Sequence, residues 1–220
     1  MPRPKRVSVM RPIQPGIRII NAIPRTLGTI GLIGYDLADG SRWIVSCRHV
    51  LARSANWNGT PAATGEPIYQ PKDDDPANVV ATTDLSRTLD VIDAAAARIV
   101  DGIDAISDVL YLDQPIGVPT NAAIDMPVVK SGSRTGVTYG VVTAVGPDTI
   151  EVGPRPGETK ALTKSGDSGA IWLEEGTLAP VAMHSEGNVG GVERSLAIPI
   201  APVLAALGLT VVCPAGVGEG

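Results

Sequence analysis

The chain has 220 residues, 44% hydrophobic and 19% charged, enough apolar material for a buried core and unlike a disordered composition. Net charge is −5, but residues 1–25 hold six basic residues and no acid, leaving the remainder at twelve basic against 23 acidic residues, a net of −11. An acidic body excludes nucleic acid as its partner, and two histidines (His49, His184) with two cysteines (Cys47, Cys213) exclude a three-histidine metal site and a disulfide framework. No metal, cofactor or membrane span is expected, since no apolar run reaches the ~20 residues that a spanning helix needs. Prolines at 2, 4, 12 and 15 interrupt the N-terminus, so no leader is visible and the expected location is cytoplasmic; a mature secreted form stripped of its leader would read the same.

Residues 1–26 read as an extended basic arm. Strand-length apolar or alternating runs then recur between turn residues. They are Thr29–Tyr35, Trp43–Ser46, Val91–Val100, Pro127–Lys130, Thr138–Val145, Thr149–Val152, Ala170–Leu173, Pro180–His184 and Arg194–Ile198. Residues 53–88 are polar and read mostly as loop; Asp73-Asp74-Asp75 within them lacks the spaced ligands and turn glycine of a calcium loop. Pro202, Val203, Leu204 and Leu207 have helical spacing, and Gly208 stops that helix. Residues 214–220 read as a flexible tail. With 25 glycines and 19 prolines as punctuation, the pattern is that of an all-β sandwich or barrel.

Three short segments carry chemistry. In Gly166-Asp167-Ser168-Gly169, a hydroxyl sits on a turn that flanking glycines can make tight. Such a turn exposes a nucleophile and lets the N–H groups of Gly166 and Ser168 converge on a developing oxyanion. In Ser46-Cys47-Arg48-His49-Val50-Leu51, a strand ends in a histidine followed by an apolar pair. In Asp93-Ala94-Ala95-Ala96-Ala97, an acid enters a small apolar run, where a carboxylate needs a partner. Asp90 is a rival to Asp93. Three residues apart on a strand the two face opposite ways, so only one can meet His49; the apolar run favours Asp93, and Asp84 is a distant third.

The chain order His49, Asp93, Ser168 in these contexts resembles the trypsin-like (chymotrypsin-fold) serine proteases, in particular a bacterial trypsin-like peptidase group. Pro15-Gly16-Ile17, Leu27-Gly28-Thr29-Ile30-Gly31, Ile68-Tyr69-Gln70-Pro71, Gly132-Ser133-Arg134-Thr135-Gly136 and Ala197-Ile198-Pro199-Ile200 extend the resemblance over about residues 15–209. Ala170 stands where the digestive enzymes usually have glycine. The resemblance implies two packed six-stranded antiparallel β-barrels with a short C-terminal helix, the first over 27–115 and the second over 116–213. It also implies the roles: Ser168 as nucleophile, His49 as base, Asp93 orienting His49, and Gly166 with Ser168 as oxyanion hole. Thr163, His184 and Ser185 would border the specificity pocket, and a histidine there suits Glu, or less well Gln, before the cleaved bond. Arg18-Ile19-Ile20-Asn21 looks like an activation junction whose new N-terminus would pair with Asp167, although an N-terminal arm explains it too. The expected partner is a polypeptide substrate. The competing expectation is a silent or signal-activated protease-fold protein that binds a partner.

Overall fold

The computed structural model describes residues 6–23, 25–52, 61–89 and 91–214. In chain order the strands are β1 (Arg18–Asn21), β2 (Thr26–Thr29), β3 (Leu32–Asp36), β4 (Arg42–Ser46), β5 (Pro67–Tyr69), β6 (Val79–Leu89), β7 (Ala94–Ile99), β8 (Pro127–Gly132), β9 (Gly136–Val145), β10 (Ile150–Pro154), β11 (Ile171–Glu174), β12 (Pro180–Gly187), β13 (Ser195–Pro199) and β14 (Leu209–Thr210). A one-turn helix α1 (Arg48–Leu51) follows β4, and α2 (Ile200–Leu207) precedes β14.

The second half closes as expected. Its six strands run β10-β13-β12-β11-β8-β9 in a barrel sealed by β9 against β10. The first half corrects the expectation of a second six-stranded barrel. It is an eight-stranded open sheet, β14-β3-β4-β7-β6-β5-β1-β2. One cause lies at Ile30–Gly31, where the strand expected over Thr29–Tyr35 breaks into β2 and β3. The turn carrying Ser168 packs into that break: a Cβ on Gly31 would stand 2.3 Å from the Gly169 carbonyl oxygen. The other cause is β14, which crosses back from α2 to pair with β3.

Arg18–Asn21, inside the stretch expected as an arm, is strand β1, paired with both β2 and β5. Residues 67–69 are β5 and residues 79–89 are β6, and all of them but Leu89 lie inside the stretch expected mostly as loop. The β6 sequence is rich in threonine and polar residues and alternates only weakly, so its pairing with β7 is decided by neighbours rather than by local pattern. Asp84 lies in a local turn of β6, its Oδ1 accepting from the N–H and hydroxyl of Ser86. Asp90, residues 53–60 and most of the expected tail lie outside the described residues.

Without phenylalanine the core is aliphatic. Ala94–Ala97 are all buried in β7, and their small side chains let α1 settle against that strand. Helix α2 buries Ile200, Val203, Leu204 and Leu207 and stops at Gly208, whose φ of 67° is the left-handed cap that glycine tolerates. No helix among the described residues is long and apolar enough to cross a membrane.

Candidate active site

Three elements bring His49, Asp93 and Ser168 to the seam between the two halves. His49 lies on α1, directly after β4, so the helical turn lifts the imidazole out of the sheet and leaves it part-exposed. Asp93 ends the turn before β7, which pairs with β4 along Ser46–Ala95 and Val45–Ala96. That register sets Asp93 beneath His49. One carboxylate oxygen accepts the His49 backbone N–H at 3.0 Å, and the other meets His49 Nδ1 at 2.7 Å. The Ser185 hydroxyl donates to this second oxygen at 2.5 Å. Burial works to raise the Asp93 pKa, but the bonds from His49 and Ser185 outweigh it and hold the carboxyl below its ordinary value.

Ser168 comes from the loop before β11. Gly166 and Gly169 flank it with φ of 103° and 94°, conformations that strain any residue with a Cβ. At Gly169 space forbids one as well, since a Cβ would stand 2.0 Å from Ser46 Oγ. The hydroxyls of Thr29 and Ser133 donate to the Gly166 carbonyl at 2.9 and 2.8 Å. The Thr29 N–H donates to the Ser168 carbonyl, and the Gly169 N–H to the His184 carbonyl. The turn is therefore pinned from both halves of the molecule. Among the described residues the N–H groups of Gly166 and Ser168 meet no acceptor, which leaves two donors beside the Ser168 hydroxyl. The Ser168 hydroxyl itself donates to the Ser185 carbonyl at 3.3 Å, and among the described residues it makes no bond to His49.

Asp167 is fully buried and does not meet a chain terminus. Lys130 Nζ lies 3.3 Å from it, also fully buried. Thr135 Oγ1 donates at 2.6 Å, and the backbone N–H groups of Arg134, Thr135 and Lys164 donate as well. Ile19 is an internal residue of β1, paired with Gly28. In the intact chain Asp167 thus has an internal lysine as its partner. Burial lowers the Lys130 pKa to about 8 against the upward pull of Asp167.

Beside Ser168 opens a cavity of about 230 Å³, lined by Thr163, Lys164, His184, Ser185, Gly187 and Asn188 among others. All three residues expected at a specificity pocket border it. Gly187 keeps it open, because a Cβ there would stand 2.0 Å from Thr163 Oγ1. Ser185 has a second position, on Asp93, which the sequence reading did not foresee. The pairing of β12 with β13 shifts register between His184 and Glu186, and this bulge re-aims Ser185. Cys47, His49 and Asp93 offer ligand atoms within 4.8 Å of one another, a set that could hold a cation. Burial and then Asp93 push the Cys47 thiol well above its ordinary pKa, and the Asp93 oxygens are already engaged by His49 and Ser185, so the set is poorly prepared for one.

The chain is 29% identical over 180 residues to glutamyl endopeptidase 2 of Streptomyces griseus, spanning 78% of this chain and 87% of that one. Its fold matches a glutamic-acid-specific serine protease described as using a novel histidine triad in substrate binding (TM-score 0.65, 22% identity, 91% of this chain and 100% of that one). It also matches Nocardiopsis protease (TM-score 0.65, 16% identity, 90% and 98% covered) and the chymotrypsin of Cellulomonas bogoriensis (TM-score 0.62, 21% identity, 92% and 100% covered). No family model matches the chain. These homologues are secreted, extracellular bacterial proteases, and that overturns the cytoplasmic expectation. A sequence poor in cysteine reads alike inside the cell and after export, so composition does not distinguish the two. The chain therefore has the chymotrypsin-like fold of these bacterial serine proteases and is similar in sequence to a glutamyl endopeptidase.

Proposed function

We propose that the chain is a serine endopeptidase that cleaves peptide bonds after Glu, with Ser168 as nucleophile, His49 as general base and Asp93 orienting it. The observation that carries this reading is the pair of unpartnered N–H groups, Gly166 and Ser168, on the same turn as a hydroxyl bonded to the carbonyl of Ser185, whose own hydroxyl bonds Asp93 of the His49–Asp93 pair. Ser168 turns from the Ser185 carbonyl toward His49 Nε2 by a rotation about χ1, a small movement for an unbranched hydroxyl. Asp93 holds the proton on Nδ1, so Nε2 presents a lone pair. As Ser168 Oγ attacks the scissile carbonyl carbon, its proton passes to Nε2, and Asp93 stabilises the imidazolium. The carbonyl oxygen, now negative, is received by the two N–H groups, each commonly worth about 3 kcal/mol. His49 then protonates the leaving amine, and water repeats the sequence on the acyl-enzyme.

Three features support the Glu preference. His184 borders the cavity beside Ser168, Lys164 stands at its rim as a positive charge, and the relative in Streptomyces griseus is named a glutamyl endopeptidase. A triad of histidines is impossible in this chain, which has two, one of them engaged by Asp93. His184 must therefore act with different companions. Digestion of a mixed peptide library should give cleavage after Glu, more slowly after Gln, and none by Ser168→Ala. Cleavage chiefly after Arg, Lys or large apolar residues would reject the acidic preference.

A further inference from the structure

His184 lies in β12 with only 2% of its surface exposed, yet its ring borders the cavity beside Ser168. Its Nδ1 lies 2.7 Å from Ser195 Oγ, on the neighbouring strand β13. That same oxygen accepts the indole N–H of Trp172, in β11, at 2.9 Å. Ser195 and Trp172 are both fully buried. We propose that Ser195, itself held by Trp172, is a positioning residue that fixes His184 as an Nε2–H donor toward the cavity, so that the side chain before the cleaved bond is read through a His184–Ser195–Trp172 relay.

The chemistry of the three groups fixes the direction of each bond. An indole nitrogen can only donate, so Ser195 Oγ is the acceptor from Trp172. Its own single proton must then go somewhere. Among the described residues its remaining neighbour in hydrogen-bond reach is His184 Nδ1. Were Nδ1 protonated, it would donate to Ser195, and the serine proton would be left buried with no acceptor, a loss of about 1–3 kcal/mol. The satisfied arrangement therefore has a bare Nδ1 and puts the ring proton on Nε2. Nε2 meets no protein partner among the described residues, and His184 lines the cavity, so the N–H is free for a substrate oxygen. The groups around the ring keep it neutral. Burial, then the nearby Lys130, lower the His184 pKa to about 3 against the opposing pull of Asp167. The pocket thus offers a neutral, oriented donor with Lys164 at its rim, suited to an oxygen acceptor on the substrate side chain.

This inference rests on the Glu-preferring reading above and makes a separate demand on the protein. Matched peptides with Glu, Gln or Leu before the cleaved bond should be assayed with wild type, Ser195→Ala and Ser195→Thr, each normalised to titrated active sites. Ser195→Ala should lower the Glu-to-Leu ratio of kcat/KM at least about tenfold, chiefly through KM for the Glu peptide. Ser195→Thr keeps the hydroxyl and should restore most of the ratio. In parallel, nitrogen-15 spectra of histidine-labelled Ser168→Ala protein report the tautomer directly, and with two histidines the assignment needs one further variant. His184 should carry its proton on Nε2 from pH 5 to pH 8, a signature that a merely packed serine would not impose. A wild type that prefers neither Glu nor Gln overturns the specificity on which the relay rests. A wild type that prefers Glu while Ser195→Ala stays equally selective overturns the relay alone, and so does a His184 proton found on Nδ1.

Discussion

Asp93→Asn should lower kcat about 10⁴-fold, the size the same exchange has in well-characterised triads, while leaving the thermal midpoint close to that of wild type. The loss follows from one reversed bond. Asp93 accepts twice from His49, at the backbone N–H and at Nδ1, and once from Ser185. An asparagine that keeps its oxygen on the His49 backbone N–H turns its amide toward Nδ1 and donates to it. The imidazole proton then moves to Nε2, and His49 can no longer take the proton of Ser168. Ser185 can adapt by accepting from the same amide, so the fold tolerates the exchange. Steady-state kinetics on the best Glu peptide, beside a melting curve, measure both halves of the expectation. Activity within tenfold of wild type would mean that Asp93 does not set the tautomer of His49.

Lys130→Met should destabilise the chain by about 3–5 kcal/mol, the usual penalty for orphaning one partner of a buried ion pair. For a chain of this size that is a fall in Tm on the order of 10 °C. Lys130 and Asp167 are both fully buried 3.3 Å apart, and Asp167 also gathers four further donors from the loop around Arg134 and Thr135 and from Lys164. Methionine keeps the aliphatic stem beside Trp172 but leaves the Asp167 charge without a counter-ion. Because Asp167 adjoins both Gly166 and Ser168, the damage falls on the turn that carries Ser168 first. Adding Asp167→Asn should recover part of the stability, since no buried charge is then left alone. Melting curves in a Ser168→Ala background, which prevents self-digestion, give the cycle. A single-variant loss under about 1 kcal/mol would show that the pair is not what holds the turn.

The proposed triad could be picked out in the sequence because each member sits in a short segment whose chemistry is local. Glycines flank Ser168, an apolar pair follows His49, and an alanine run follows Asp93. The closed second barrel was legible too, because its strands alternate or run apolar between strong turn signals. What escaped the sequence depends on contacts between distant segments. Lys130 ends a strand-like run and gives no local sign that it is buried against Asp167, 37 residues away. Ser185 was read only as pocket lining, since the bulge that turns it to Asp93 is a property of the β12–β13 register. Residues 79–88 read as loop because threonines and charges mask a strand that β7 holds in place. The open first sheet follows from the Ser168 turn lodging at Gly31, a close approach between residues more than a hundred positions apart.

The central claim is that Ser168 is the activated nucleophile, and a fluorophosphonate probe tests it most directly. Probe-treated protein digested and mapped by mass spectrometry should carry one label, on Ser168, with slow labelling of Asp93→Asn and none of Ser168→Ala. A label on any other residue, or no label on wild-type protein that cleaves peptides, would contradict the account.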